Sequence, residues 1–131
     1  MQIEVIQEQG DVPVTVLQLT GDLTAEEPLL SGAKTVYSTG ARNILLDLSQ
    51  VPYISSAGLR TIHSIYIMLR DADPADSAGA VSGIAHGTYK SPHLKLLSPT
   101  KNATKALSVA GYDMFLDIFD NYQTALASYN K

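Results

Sequence analysis

The sequence predicts an α/β protein built on a mixed, mostly parallel sheet covered by helices. Strand-like runs alternate with helical periods beyond about residue 21, the first two runs are joined only by turn formers, and "NILLDL" at residues 43–48 is apolar almost throughout. Alternating β and α units call for parallel strands with crossover helices, and a nearly continuous apolar strand belongs inside such a sheet. The predicted order is β-β-α-β-α-β-α-β-α.

Each element has its own signal. Residues 3–8, "IEVIQE", and 14–19, "VTVLQL", flank the turn formers Gly10, Asp11 and Pro13 and predict an antiparallel hairpin. In "GDLTAEEPLLSGAKTVYSTG", Leu29, Leu30, Ala33, Val36 and Tyr37 share one helical face, and Gly40 ends the helix. Thr24 with Glu27 fits a capping box; alternatively Glu27 is the cap and Pro28 occupies the first turn. After the strand at 43–48, Leu59, Ile62, Ile65, Tyr66 and Leu69 recur at three- and four-residue steps, predicting a helix from Ser56 to about Arg70 with Ser55 as its cap. Ile67 and Met68 fall outside that stripe, either under the next segment or in an exposed apolar patch.

Residues 71–91 show no sustained period and predict a long inserted loop, in which Gly79, Gly83 and Gly87 read as flexibility. "HLKLL" at 93–97 is a strand; Ser98 is the expected cap of a helix with Pro99 at its first position, carrying Ala103, Leu107 and Ala110 inward before Gly111. "DMFLDIF" at 113–119 predicts the last strand. Asp120 with Gln123 resembles a capping box, opening a terminal helix on Tyr122, Ala125, Leu126 and Tyr129.

Composition narrows the function. A chain of 131 residues fits one domain, 1–131. Nine basic against 13 acidic residues give a net charge of -4 without a long like-charge run, which argues against nucleic acid or an anionic membrane as direct partner. The absence of cysteine excludes disulfides, thiolate-held metals and a cysteine nucleophile. "QIEVIQEQGD" after Met1 has neither a basic start nor an apolar core, and no stretch approaches the ~18 apolar residues of a membrane span, so a soluble, cytoplasmic protein is expected.

Chemical hooks concentrate in "LLDLSQVPYISSAGL", a strand-to-helix connection of the kind that lies at the carboxyl edge of a parallel sheet, where ligands and partners meet α/β proteins. A helix start carries unpaired N–H groups and a partial positive charge. A serine there serves either as a plain cap or as acceptor of a phosphoryl group.

Together, "GDLT" after a strand, "NILLDLSQVPYISSAGLRTI" and "LLSPTKNATKALSVAGYDMFLDIFDNYQTAL" resemble a STAS domain, the fold of bacterial anti-sigma factor antagonists and of the cytoplasmic tails of sulfate transporters. The resemblance spans the chain apart from about residues 71–91. In the antagonists the segment reads Asp-Ser-Ser-Gly-Leu or Asp-Ser-Thr-Gly-Leu, and the serine after the aspartate is phosphorylated by the anti-sigma factor, itself a protein kinase. By this resemblance Ser55 stands at the aspartate, Ser56 at the phosphorylated serine and Ala57 at the second hydroxyl, while Gly58 and Leu59 match. Thr24 stands where a carboxylate is common, and Asp22 and Asp47 supply negative charge nearby. The resemblance implies a non-enzymatic protein that binds a serine kinase of the histidine-kinase-like ATPase type. The expected surface is Asp22, Thr24, Ser55, Ser56, Ala57, Gly58 and Arg60, with Ser56 as phosphoacceptor. The alternative it leaves open is an interaction module of another pathway, transport-associated or binding a small ligand or nucleotide, in which Ser56 merely caps.

Enzyme and cofactor readings find little to build on. With Ser56 at the centre of a Gly-x-Ser-x-Gly elbow, Ile54 occupies the first glycine position and only Gly58 fits. His63, His86 and His93 have no metal-ligand spacing, and neither dinucleotide nor P-loop glycine patterns occur. No cofactor and no metal are expected. Arg60 either meets a partner's carboxylate or is a solvated face residue beside Thr61.

Overall fold

The computed structural model describes residues 1–10, 12–79 and 89–129. The described strands form one five-stranded sheet, β1 (Gln2–Gln9), β2 (Pro13–Thr20), β3 (Ile44–Gln50), β4 (Leu94–Leu97) and β5 (Ile118–Phe119), in sequential order. β1 pairs antiparallel with β2, and every later pairing is parallel. The helices are α1 (Leu29–Ser38), α2 (Ser56–Asp71), α3 (Lys101–Val109) and α4 (Tyr122–Ala127), with a 3-10 turn at Tyr112–Met114.

Because the parallel strands advance in one direction across the sheet, crossovers of one hand put α1, α2 and α3 on the same face. The side-chain alternation of the strands shows it. Ile44, Leu46, Leu48, Leu94 and Leu96 join Leu29, Ala33, Ile62, Ile65 and Leu107 in the main core, whereas Leu45 and Leu97 point the other way, to Ala125 and Tyr129 of the carboxyl-terminal segment. On that second face the Tyr129 hydroxyl donates to the Ile44 carbonyl at 2.6 Å, and Lys95 reaches Ser128. β3 is buried over its first five residues, as an interior strand of such a sandwich must be.

Several element ends differ from the sequence expectation. The cap of α3 is Thr100, whose hydroxyl accepts from the Ala103 N–H; Ser98 instead donates its N–H to Phe119 at 2.6 Å, extending the β4 pairing and leaving Pro99 outside the helix. Asn121, not Asp120, caps α4 by accepting from Thr124. The last strand is shorter than 113–119, since β4 offers only four residues to pair with and the chain turns through Tyr112–Met114 first. Thr24 is not a cap. The Glu27 carboxylate instead receives the Ser31 hydroxyl and, at 2.8 Å, the Ser31 N–H across the first turn of α1, and the hydroxyl first, then the N–H, hold it below the usual carboxylate range.

The stretch 71–91 is not a plain loop either. Asp71 still belongs to α2, residues 74–79 are helical, and Asp76, Tyr89 and Ser91 are buried. The Tyr89 hydroxyl donates to Asp76 at 2.7 Å, a contact between residues too far apart in sequence for any periodicity to reveal. Gly83, Gly87 and His86 lie outside the described residues. Ile67 and Met68 are half-buried against the main core.

Candidate functional site

The connection from β3 to α2 runs beside the turn that leaves β2. Leu23 donates its N–H to Tyr53, and Ser55 donates its own to Leu23, both at 2.9 Å, so Leu23 and Ile54 form a single parallel bridge beyond the sheet proper. Residues 21–24 and 53–60 therefore make one surface, as the sequence reading expects.

Ser55 has extended backbone and caps α2: its Oγ accepts from the Gly58 N–H at 3.2 Å. Capping is thus assigned to Ser55. Ser56, the first residue of the helix, is exposed and relieved of that task. Asp22, Thr24 and Arg60 are also exposed, and Ala57 is half-buried. Arg60 lies one turn beyond Ser56, the spacing at which opposite charges pair on a helix surface.

Gly58 has a different job. It is buried, and a Cβ there would stand 2.3 Å from the Leu23 carbonyl oxygen and 2.8 Å from Leu23 Cγ. Glycine is required because α2 starts hard against the 21–24 turn, so this residue places the surface rather than forming it. Asp47 also departs from expectation. It is buried on the sheet face under α4, where it accepts from Gln18 and Ser49, so its charge is engaged there and not beside Ser56.

Sequence reasoning missed the neighbour of this surface. Thr100 donates its hydroxyl to the Val51 carbonyl at 2.9 Å and so ties α3 to the β3–α2 connection, while the Tyr112 hydroxyl donates to Leu59 at 2.9 Å. Burial, opposed slightly by Arg60, pushes the Tyr112 phenol up. Between the connection and α3 lies an open groove of about 570 Å³ lined by Tyr53, Ile54, Leu59, Asn102, Lys105, Ala106, Val109 and Ala110. Tyr53 is 53% and Val109 81% exposed, too much apolar surface for core residues. The only sequence signal was Val109 falling off the Ala103–Leu107 stripe. Among the described residues no group of three or more His, Asp or Glu side chains could hold a metal, and no helix is long and apolar enough to cross a membrane.

Residues 3–73 match the family model of the STAS domain, and the chain belongs to that family. No curated protein sequence matches significantly. Solved structures are similar over nearly the whole chain. An anti-sigma factor antagonist from Mycobacterium paratuberculosis is 17% identical, with 98% of this chain and 94% of that one aligned at a TM-score of 0.67. The Thermotoga maritima protein TM1081 is 22% identical over 98% and 92% of the two chains, at a TM-score of 0.65. The anti-sigma factor antagonist SpoIIAA in its unphosphorylated form is 12% identical over 95% and 94%, at 0.59. At such identities the likeness is one of fold.

Proposed function

We propose that this STAS domain, residues 1–131, is a regulatory binding protein of the anti-sigma factor antagonist type. It binds an anti-sigma factor that is a serine kinase of the histidine-kinase-like ATPase type, and phosphorylation of Ser56 releases it. The observation that carries the reading is the division of labour at the start of α2, where Ser55 caps and Ser56 stands exposed. Asp22 and Thr24 flank the docking surface, Arg60 extends it, and Gly58 holds its two segments in register. A phosphate adds about 1.5 to 2 negative charges, opposing docking wherever apolar or acidic groups of the partner face it. Each 1.4 kcal/mol or so lost from the interface is tenfold in affinity.

The second reading, an interaction module of another pathway without a phosphorylation switch, is favoured by one specific feature: Ser55 and Thr24 occupy positions where the antagonists carry carboxylates. One experiment separates the two. The protein is incubated with the kinase of this type from the same organism and ATP, and phosphate is mapped by mass spectrometry. Phosphate on Ser56, lost in Ser56→Ala, with at least tenfold weaker binding by Ser56→Asp in calorimetry, is the expected result. No phosphate on any residue, with wild-type, Ser56→Ala and Ser56→Asp proteins binding equally, overturns the switch.

A further inference from the structure

We infer that the groove between the β3–α2 connection and α3 receives an amphipathic helix of a partner protein whose apolar ridge is flanked by carboxylates. The inference rests on the reading above only in taking the Ser56 edge as the docking face.

The occupant's apolar side follows from the lining. Tyr53 and Val109 are two of the four large apolar side chains that the described surface leaves exposed, and both line this groove with Ile54, Leu59 and Ala106. Its volume of about 570 Å³ lies within the range of sites that bury several side chains or a small ligand, roughly 300–1,000 Å³.

The flanking charge follows from what the two walls carry. α3 from Lys101 to Val109 contains no acidic residue, and α2 carries one, Asp71, at its far carboxyl end, although the whole chain has a net charge of -4. Lys105 lines the groove, Lys101 lies one turn before it on α3, and Arg60 follows Leu59 on the opposite wall. Asp113 on the adjoining 3-10 turn and Asp22 on the turn beside α2 are the carboxylates of the neighbouring elements. A locally basic rim favours a partner surface of opposite sign.

That the occupant is a helix follows from the backbone. At the groove floor the Tyr53 carbonyl and the Ser55 N–H are already paired with Leu23, so an incoming strand finds no free ladder there. What remains is side-chain contact, the mode in which a helix sets residues at i, i+3 or i+4 and i+7 into a trough.

The test selects peptides on the purified, immobilised protein. The library is of helical 14-residue peptides with leucines at those four positions and the other positions drawn from Glu, Lys, Ser and Ala. Enrichment of Glu beside the leucines is expected, with amide shift changes on binding confined to residues around Tyr53, Leu59, Lys105 and Val109. Val109→Asp and Lys105→Glu are each expected to weaken the best peptide at least tenfold, and Val5→Asp on β1, exposed and remote, to leave it unchanged. Selection of Lys, no charge preference, no enrichment, or shifts mapping elsewhere overturns the inference. So does a concentration-dependent dimer covering the groove, since the occupant is then a second copy. Failure of the kinase to bind or phosphorylate Ser56 while acid-flanked peptides still bind the groove defeats the proposed function alone; the reverse pattern defeats the groove alone.

Discussion

At its amino end α2 is fixed by backbone: Ser55 exchanges contacts with Leu23 and Gly58, and a missing side chain at Gly58 lets the helix touch the 21–24 turn. At its carboxyl end the means are polar side chains from distant parts of the chain. His93 lies 2.7 Å from Asp73 and 2.9 Å from Asn43, Tyr89 donates to the buried Asp76, and Arg70 pairs with its neighbour Asp71 and lies over the Tyr66 ring. The first end is held by close packing and short hydrogen bonds between neighbouring backbone segments. At the second, the Tyr89–Asp76 bond is buried, but the His93–Asp73 and Arg70–Asp71 pairs are partly open to solvent, and contacts of that kind contribute little when screened. A surface that must present one hydroxyl to a partner gains from being built at the first end.

The largest test of this contrast is Gly58→Ala. A methyl group 2.3 Å from a carbonyl oxygen forces either the 21–24 turn or the helix start to move, and over-packing of this kind costs about 3 kcal/mol at the upper end of its usual range. Urea unfolding should show that loss with an unchanged slope, and binding to the partner should fall with it, because both halves of the surface shift. A loss below about 1 kcal/mol would show that Leu23 yields easily and that the amino end is no more rigid than the other.

The same contrast explains how far the sequence could be read. The hairpin, β3, α2 and the cap at Ser55 were legible because their signals are local: turn formers, an apolar run, a three-and-four period, a hydroxyl before it. The reach from Tyr89 to Asp76, from His93 to Asn43 and from Thr100 to Val51 spans 13, 50 and 49 residues. Nothing in a linear pattern announces such contacts, so 71–91 read as a loop and the groove beside Ser56 went unseen. Gly58 is the intermediate case. Its small size was visible, but only the position of Leu23 decides that the fold itself, rather than an approaching partner, requires it.

A smaller effect sharpens the role of Ser55. Removing its hydroxyl in Ser55→Ala leaves the Gly58 N–H without its cap and should cost about 1 kcal/mol. Ser55→Asp should stay within roughly 0.5 kcal/mol of wild type, because aspartate caps as well as serine and its charge suits the helix amino end. Thermal unfolding of the two variants checks this. If Ser55→Asp is as unstable as Ser55→Ala, the site is too closely packed around Leu23 for a carboxylate, which would explain in structural terms why this chain carries serine there.

The smallest effect probes the other end of α2. The bond from His93 holds the Asp73 carboxyl below its usual range, with lesser help from the Asp76 and Ala75 N–H groups. A carboxyl whose folded value is lowered contributes stability above its unfolded value of about 4 and loses it as pH falls through the lowered folded value. The melting temperature of wild type should therefore exceed that of Asp73→Asn near neutrality, and the two curves should converge in acid. Because Asp73 is partly open to water, the gap should be small and narrow further in 1 M salt, where the screening length falls to about 3 Å. The amide of asparagine still offers an oxygen to the Ala75 N–H, so a gap that persisted unchanged through acid and salt would assign Asp73 to holding the helical residues 74–79, not to pairing with His93. In that event the carboxyl end of α2 would rest on backbone capping as the amino end does, and the contrast between them would be one of packing alone.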